Sequence, residues 1–181
     1  MQTMVAAPSP AARVETARLV LRGHAPDDLE ARLAMTGDLG VMAHLGGTAS
    51  DREENWARIQ RYNGHWALLG HGLFAVEDKA SGVFVGEAGL ARFERGLGED
   101  FDPFPEAAWI FATSAQGKGY ATEAMQAAIG WHEARFGPSR MVCVIAHENE
   151  PSLRVAEKLD FAVFAERPYK GADRLLLARP G

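Results

Sequence analysis

Apolar residues fall along the chain in two rhythms, and the order in which those rhythms alternate predicts the elements. Residues 16–22 (TARLVLR) lean toward a strand, and Pro26 with Asp27 and Asp28 then opens a helix, whose positive N-terminal end favours acidic residues in its first turn. Residues 51–66 place Trp56, Ile59, Tyr62 and Trp66 at helical spacing, after which Gly70 and Gly72 break the pattern. That spacing favours core packing of these aromatics over a role in walling a pocket. Residues 73–77 (LFAVE) and 83–91 (VFVGEAGLA) read as two strands of a hairpin turning at Ser81 and Gly82.

The second half is more sharply marked. Pro103 and Pro105 in FDPFP (101–105) supply no ladder donors, so this stretch reads as a loop before a strand at 107–112. From 120 to 136, Ala121, Ala124, Met125, Ala128, Ile129 and His132 recur every three or four residues, giving a helix with one buried face that ends near Gly137 and Pro138. MVCVIA (141–146) is a continuous apolar run suited to a strand covered on both faces. A short helix at 151–159 follows with proline in its first turn, and strands at 161–166 and 174–178 close the chain. Residues 1–12, rich in Ala, Pro and Ser, read as a flexible tail, leaving one domain over 13–181.

Composition narrows the classes of function. A chain of 181 residues, 47% hydrophobic, is long enough for one core and too short for two. Its net charge of −5, with no clustered basic stripe, argues against a nucleic-acid surface. Cys143, the single cysteine, sits inside an apolar run and reads as a small buried hydrophobe, which suits a reducing, cytoplasmic setting. No stretch has the apolar length of a membrane span, and the N-terminus lacks the layout of a signal peptide. His65, His71 and His132 lack metal-ligand spacing, so no metal is expected.

The most informative segment is the passage from strand to helix through Gln116-Gly117-Lys118-Gly119-Tyr120-Ala121. Two glycines permit a tight turn, and the unbonded amides of the first helical turn face outward at the positive end of the helix dipole, an arrangement that holds phosphate. A Walker loop would need glycine at Ala112 and a hydroxyl residue at Gly119, and a dinucleotide fingerprint would need glycine at Thr122. Both alternatives fail on those positions.

With these residues in view, the sequence resembles the GNAT acetyltransferase superfamily. The likeness rests on QGKGYATEA at 116–124, the buried strand after it, ENEPS at 148–152 and EKLDF at 157–161, and it extends over nearly the whole chain. ETARLVLR at 15–22 and Asn149-x-x-Ser152 resemble the branch that contains ribosomal-protein N-terminal acetyltransferases. The resemblance implies an α/β (α+β) fold: a mixed, mostly antiparallel central sheet of about seven strands with a splayed parallel pair, flanked by about four helices. It implies acetyl-CoA as cosubstrate and a primary amine as acceptor, either a protein N-terminus or a small molecule. Nothing in the residues decides between these acceptors, or between a monomer and a homodimer.

Carried over by position, the resemblance implies that the amides of residues 117–122 (Gly117, Lys118, Gly119, Tyr120, Ala121, Thr122), led by Gln116, hold the pyrophosphate. It implies that the strand with Ile110, Phe111 and Ala112 pairs with the pantetheine arm, and that one of these amides stabilises the oxyanion. Asn149 is implied to contact the arm and Ser152 to lie near the sulfur, although Asn149 is also well placed as a plain helix N-cap. One departure stands out: Ala156 occupies the place of the tyrosine that protonates the thiolate in many relatives, and Asp160 that of the glycine after it. Ser152 is then the nearest acid by motif, and a catalytically silent acyl-CoA sensor is the competing reading. Glu106, at the head of the thioester-binding strand, is the first candidate for general base and Glu87 the second; each also reads as a salt-bridged strand-end carboxylate. The acidic run Glu94, Glu99, Asp100, Asp102 and Glu106 suggests attraction of a cationic amine.

Overall fold

The computed structural model of the protein describes residues 11–181. The tail expected at 1–12 therefore lies outside the described residues except for Ala11 and Ala12, which pack against the core. Eight strands, β1 (Val14–Glu15), β2 (Leu19–Arg22), β3 (Leu73–Asp78), β4 (Phe84–Ala91), β5 (Glu106–Phe111), β6 (Met141–Ala146), β7 (Ala162–Tyr169) and β8 (Ala172–Arg179), form one sheet in the order β1-β2-β3-β4-β5-β6-β8-β7. Every neighbouring pair is antiparallel except β5 and β6, which run parallel.

Five α-helices accompany the sheet: α1 (Asp28–Gly37), α2 (Leu39–Met42), α3 (Arg52–Leu69), α4 (Tyr120–Phe136) and α5 (Glu150–Lys158). The longer ones start and stop on the expected signals. Asp51 caps α3 in a reciprocal box with Glu54, and Gly70 ends it in a left-handed conformation. Three short elements have no periodic signal in the sequence: β1, the single-turn α2 and a 3₁₀ turn at Thr113–Ala115.

The two faces of the sheet are distinct. Met125, Ala128 and Ile129 of α4 pack with Phe74, Ala88, Leu90, Ala107 and Cys143 in the main core. On the opposite face, Arg32 of α1 meets Glu87 of β4, while Leu97, Phe101, Val142 and Leu176 form a second, smaller cluster under the loop between β4 and β5. Tyr62 and Trp66 are buried, in line with their spacing, while Trp56 is only half-buried. Alternation along β5 therefore points Ala107, Trp109 and Phe111 toward α4, and Glu106, Ala108 and Ile110 away from it.

Candidate active site

The parallel pair parts almost as soon as it forms. β5 and β6 are in register only at Glu106 and Val142, where the Val142 amide donates to the Pro105 carbonyl at 3.0 Å. On its other side β5 pairs with β4 over its full length, and the Ala112 amide donates to Val85 at 3.0 Å. Main-chain groups alternate in direction along a strand, so those of Ala107, Trp109 and Phe111 face the gap. Of the triplet 110–112, Phe111 is the one whose amide opens there, and its carbonyl takes a hydrogen bond from Gln116 Nε2 at 3.1 Å.

Beyond β5 the chain turns through Gly117 and Gly119, at φ 73° and 77°, into α4. Residues 116–119 are exposed, and no side chain caps the first amides of α4. Arg18 braces the turn from behind, donating to the Lys118 carbonyl at 2.8 Å and pairing with Glu123 at 2.6 Å. Tyr120 donates to Asp78 Oδ2 at 2.7 Å, which holds the Asp78 carboxyl down to about 2 and anchors the helix start to β3. The corner presents bare main-chain donors, the requirement for a diphosphate.

A cavity of about 340 Å³ passes through the gap, bounded by Ala107, Trp109, Cys143 and Ile145 from the α4 face and by Glu106, Ala108, Ile110 and Val144 from the other. Asn149 and Ser152 both line it. Asn149 is also the N-cap of α5, its Oδ1 accepting from the Ser152 amide at 3.2 Å, so the capping reading holds. Its Nδ2 donors are not used by that cap. Ala156, on the inner face of α5, is fully buried and offers no proton, while Asp160 takes φ 63° at the helix end, the backbone conformation for which glycine is the usual residue.

Glu106 sits at the throat of the cavity, 3% exposed. Arg95 clasps it with Nε 2.8 and 2.7 Å from the two carboxylate oxygens, and donates through Nη1 to the Tyr169 hydroxyl at 2.9 Å. Burial raises the Glu106 pKa above its ordinary value, and Arg95 offsets part of that rise. Arg95 and Tyr169 both line the cavity and neither carried a signal in the sequence: one lies in an irregular loop, the other at the tip of a hairpin brought across the parallel pair by the placement of β8. Cys143 is buried, and burial with the nearby Glu106 pushes its thiol up.

Glu87 is enclosed elsewhere. Its carboxylate, wholly buried, contacts His24 Nε2 at 3.0 Å and Arg32 Nε at 2.5 Å, and Arg32 reaches on to Asn55. Glu87 does not line the cavity. Four of the five carboxylates in the acidic run already have partners. Glu94 pairs with Arg92, Asp100 with Arg167, and Glu106 with Arg95, while Asp102 accepts from the Gly98 amide.

The family model described as acetyltransferase (GNAT) domain matches residues 18–162. Among solved structures, a putative GnaT-family acetyltransferase from Bordetella pertussis is 36% identical, with a TM-score of 0.83 over 93% of this chain and 99% of its own. The Bacillus subtilis protein named uncharacterized N-acetyltransferase YnaD is 28% identical over 81% of this chain and 80% of its own. RimL, a ribosomal L7/L12 alpha-N-protein acetyltransferase solved in complex with coenzyme A, is 16% identical with a TM-score of 0.75 over 93% of this chain and 98% of its own; that likeness is one of fold.

Proposed function

The chain belongs to the GNAT acetyltransferase family, and from that membership we propose that it transfers acetyl from acetyl-CoA to a primary amine by direct attack in a ternary complex. The observation that carries this reading is the single-residue parallel pairing of β5 and β6 beside an open glycine corner. Residues fit the cosubstrate on both counts. The amides of 117–122 suit the diphosphate, and the gap-facing main-chain groups of Trp109 with the Phe111 amide suit an extended arm bearing amide groups, with Asn149 Nδ2 beside it.

Acetyl-CoA supplies an activated acyl carbon. The protein's part is to orient the two reactants, remove a proton from the amine and receive developing negative charge. An α-amine, with an ordinary pKa of about 8, loses its proton more readily than lysine at about 10.4. Glu106 is the proton acceptor in this reading, since it faces the cavity and its raised pKa makes it a stronger base than an exposed carboxylate. The Phe111 amide is the donor for the charged oxygen. Ser152 is the nearest acid by motif. The Tyr169 hydroxyl accepts from Arg95 and keeps its own proton to give, so it is a second donor in the same cavity.

Titration calorimetry tests the reading directly. Acetyl-CoA is expected to bind in the micromolar range, and no heat at high micromolar ligand overturns it. Free-thiol release with any amine then excludes a silent acyl-CoA sensor.

A further inference from the structure

The side of the cavity away from α4 is unusually cationic for a chain of net charge −5. Arg32, Arg58, Arg95, Lys170 and Arg174 all line it, against Glu106 as the one carboxylate among the described lining residues. Two of these cations are already balanced, Arg32 by Glu87 and Arg95 by Glu106. Arg58 on α3, Lys170 at the β7–β8 turn and Arg174 on β8 have no carboxylate partner among the described residues. Lys170 lies over the neighbouring Tyr169 ring at 5.5 Å, and Arg174 donates to the Asp173 carbonyl at 3.1 Å.

These three cations stand apart from the phosphate corner. Arg174 alternates with Leu175 and shares the β8 face of Leu176, which packs on Val142 and Phe101, whereas Leu177 on the other face packs into the core beneath α4. Arg58 and Lys170 come from α3 and the β7–β8 turn, and none of residues 116–122 lines the cavity with them. Their positive charge is thus directed at whatever approaches from the acceptor side. A concave wall of one sign concentrates ligands of the other and repels its own.

We infer, resting on the acetyl-transfer reading, that the acceptor is an amine carrying an anionic group, a carboxylate or phosphate, in the same molecule. Arg58, Lys170 and Arg174 hold that anion while the amine faces Glu106. The same cations lower the pKa of the ammonium group, because a nearby like charge disfavours the protonated form, and so enlarge the neutral fraction that attacks. A polyamine meets the wall with the wrong sign throughout.

The test measures free-thiol release with matched acceptors: leucine against leucinamide and phosphoethanolamine against ethanolamine for small molecules, Ser-Asp-Asp-Ala amide against Ser-Asn-Asn-Ala amide for a chain N-terminus, and spermidine. In one arm or the other, which identifies the source, the anionic member is expected to exceed its neutral partner in kcat/KM by about tenfold. Arg58→Glu and Lys170→Glu, both at exposed positions, are each expected to erase most of that preference while calorimetry shows acetyl-CoA bound as before. Equal or better turnover of neutral or polycationic acceptors overturns the inference, as does a preference unchanged in both variants or silence of every anionic acceptor with acetyl-CoA bound. Failure of the unaltered protein to bind acetyl-CoA fells the transfer reading itself and this inference with it.

Discussion

Glu87 and Glu106 lie on neighbouring strands, both buried, and their partners treat them in opposite ways. Burial alone would raise both. At Glu87 the hydrogen bonds and charges of His24 and Arg32 outweigh burial and hold the carboxyl down to about 2. At Glu106 burial outweighs Arg95 and the pKa rises. A base for an amine needs the second environment and access to the cavity, and Glu106 has both. Glu106→Gln is expected to lower turnover by about a hundredfold and to flatten the acid limb of the pH profile, with acetyl-CoA affinity retained in calorimetry. Glu87→Gln leaves Arg32 buried without its counter-charge and is expected to cost about 3 kcal/mol of stability in urea melts. The reverse pattern, a silent Glu106→Gln and a stable but inactive Glu87→Gln, would exchange the roles. The sequence named both glutamates yet had no means to rank them, because Arg32 stands 55 residues from Glu87 in the chain and Arg95 lies in a loop without periodicity.

At the scale of the element, the corner at 116–122 was legible because its requirements are local: glycines where the backbone turns left-handed, then an apolar repeat that starts at Tyr120. A Cβ on Gly117 would meet open space, and one on Gly119 would meet only Arg18 Nη2 at 3.5 Å. Crowding by the protein therefore does not require these glycines; positive φ favours them, and in the acetyl-transfer reading proposed above so does room for a diphosphate. Gly119→Val is expected to cost about 1 to 2 kcal/mol from its backbone conformation and to weaken acetyl-CoA binding at least tenfold, both read from one protein sample by melt and calorimetry. Unchanged affinity in a folded Gly119→Val would remove the diphosphate from this corner. The single-turn α2 and the two-residue β1 escaped notice for the opposite reason, since neither is long enough to show a period.

Across the whole molecule, what no local pattern could foretell is convergence: β8 inserts between β6 and β7, and that insertion carries Tyr169, Lys170 and Arg174 over the gap. The same compactness buries titratable groups whose protonation then governs stability. His132, packed against the His71 and Phe136 rings at 5.1 and 4.8 Å, is lowered by burial from an ordinary 6.5 to about 4. Below pH 6.5 the unfolded chain takes up a proton there that the folded one refuses, so stability falls as pH drops toward 4. Glu87, lowered from 4.5 to about 2, adds a second loss in that lower window, where the unfolded carboxyl is protonated and the folded one is still paired. Glu106, with its pKa raised, opposes this modestly, gaining stability as pH falls through the carboxylate range. Urea midpoints measured from pH 7 downward are therefore expected to decline in two stages. His65, also lowered by burial, contributes to the same upper stage, so His132→Leu should shrink that stage without abolishing it and spare the lower one. A single decline confined below pH 4 in the unaltered protein would mean that His132 takes up its proton in the folded state as easily as in the unfolded chain.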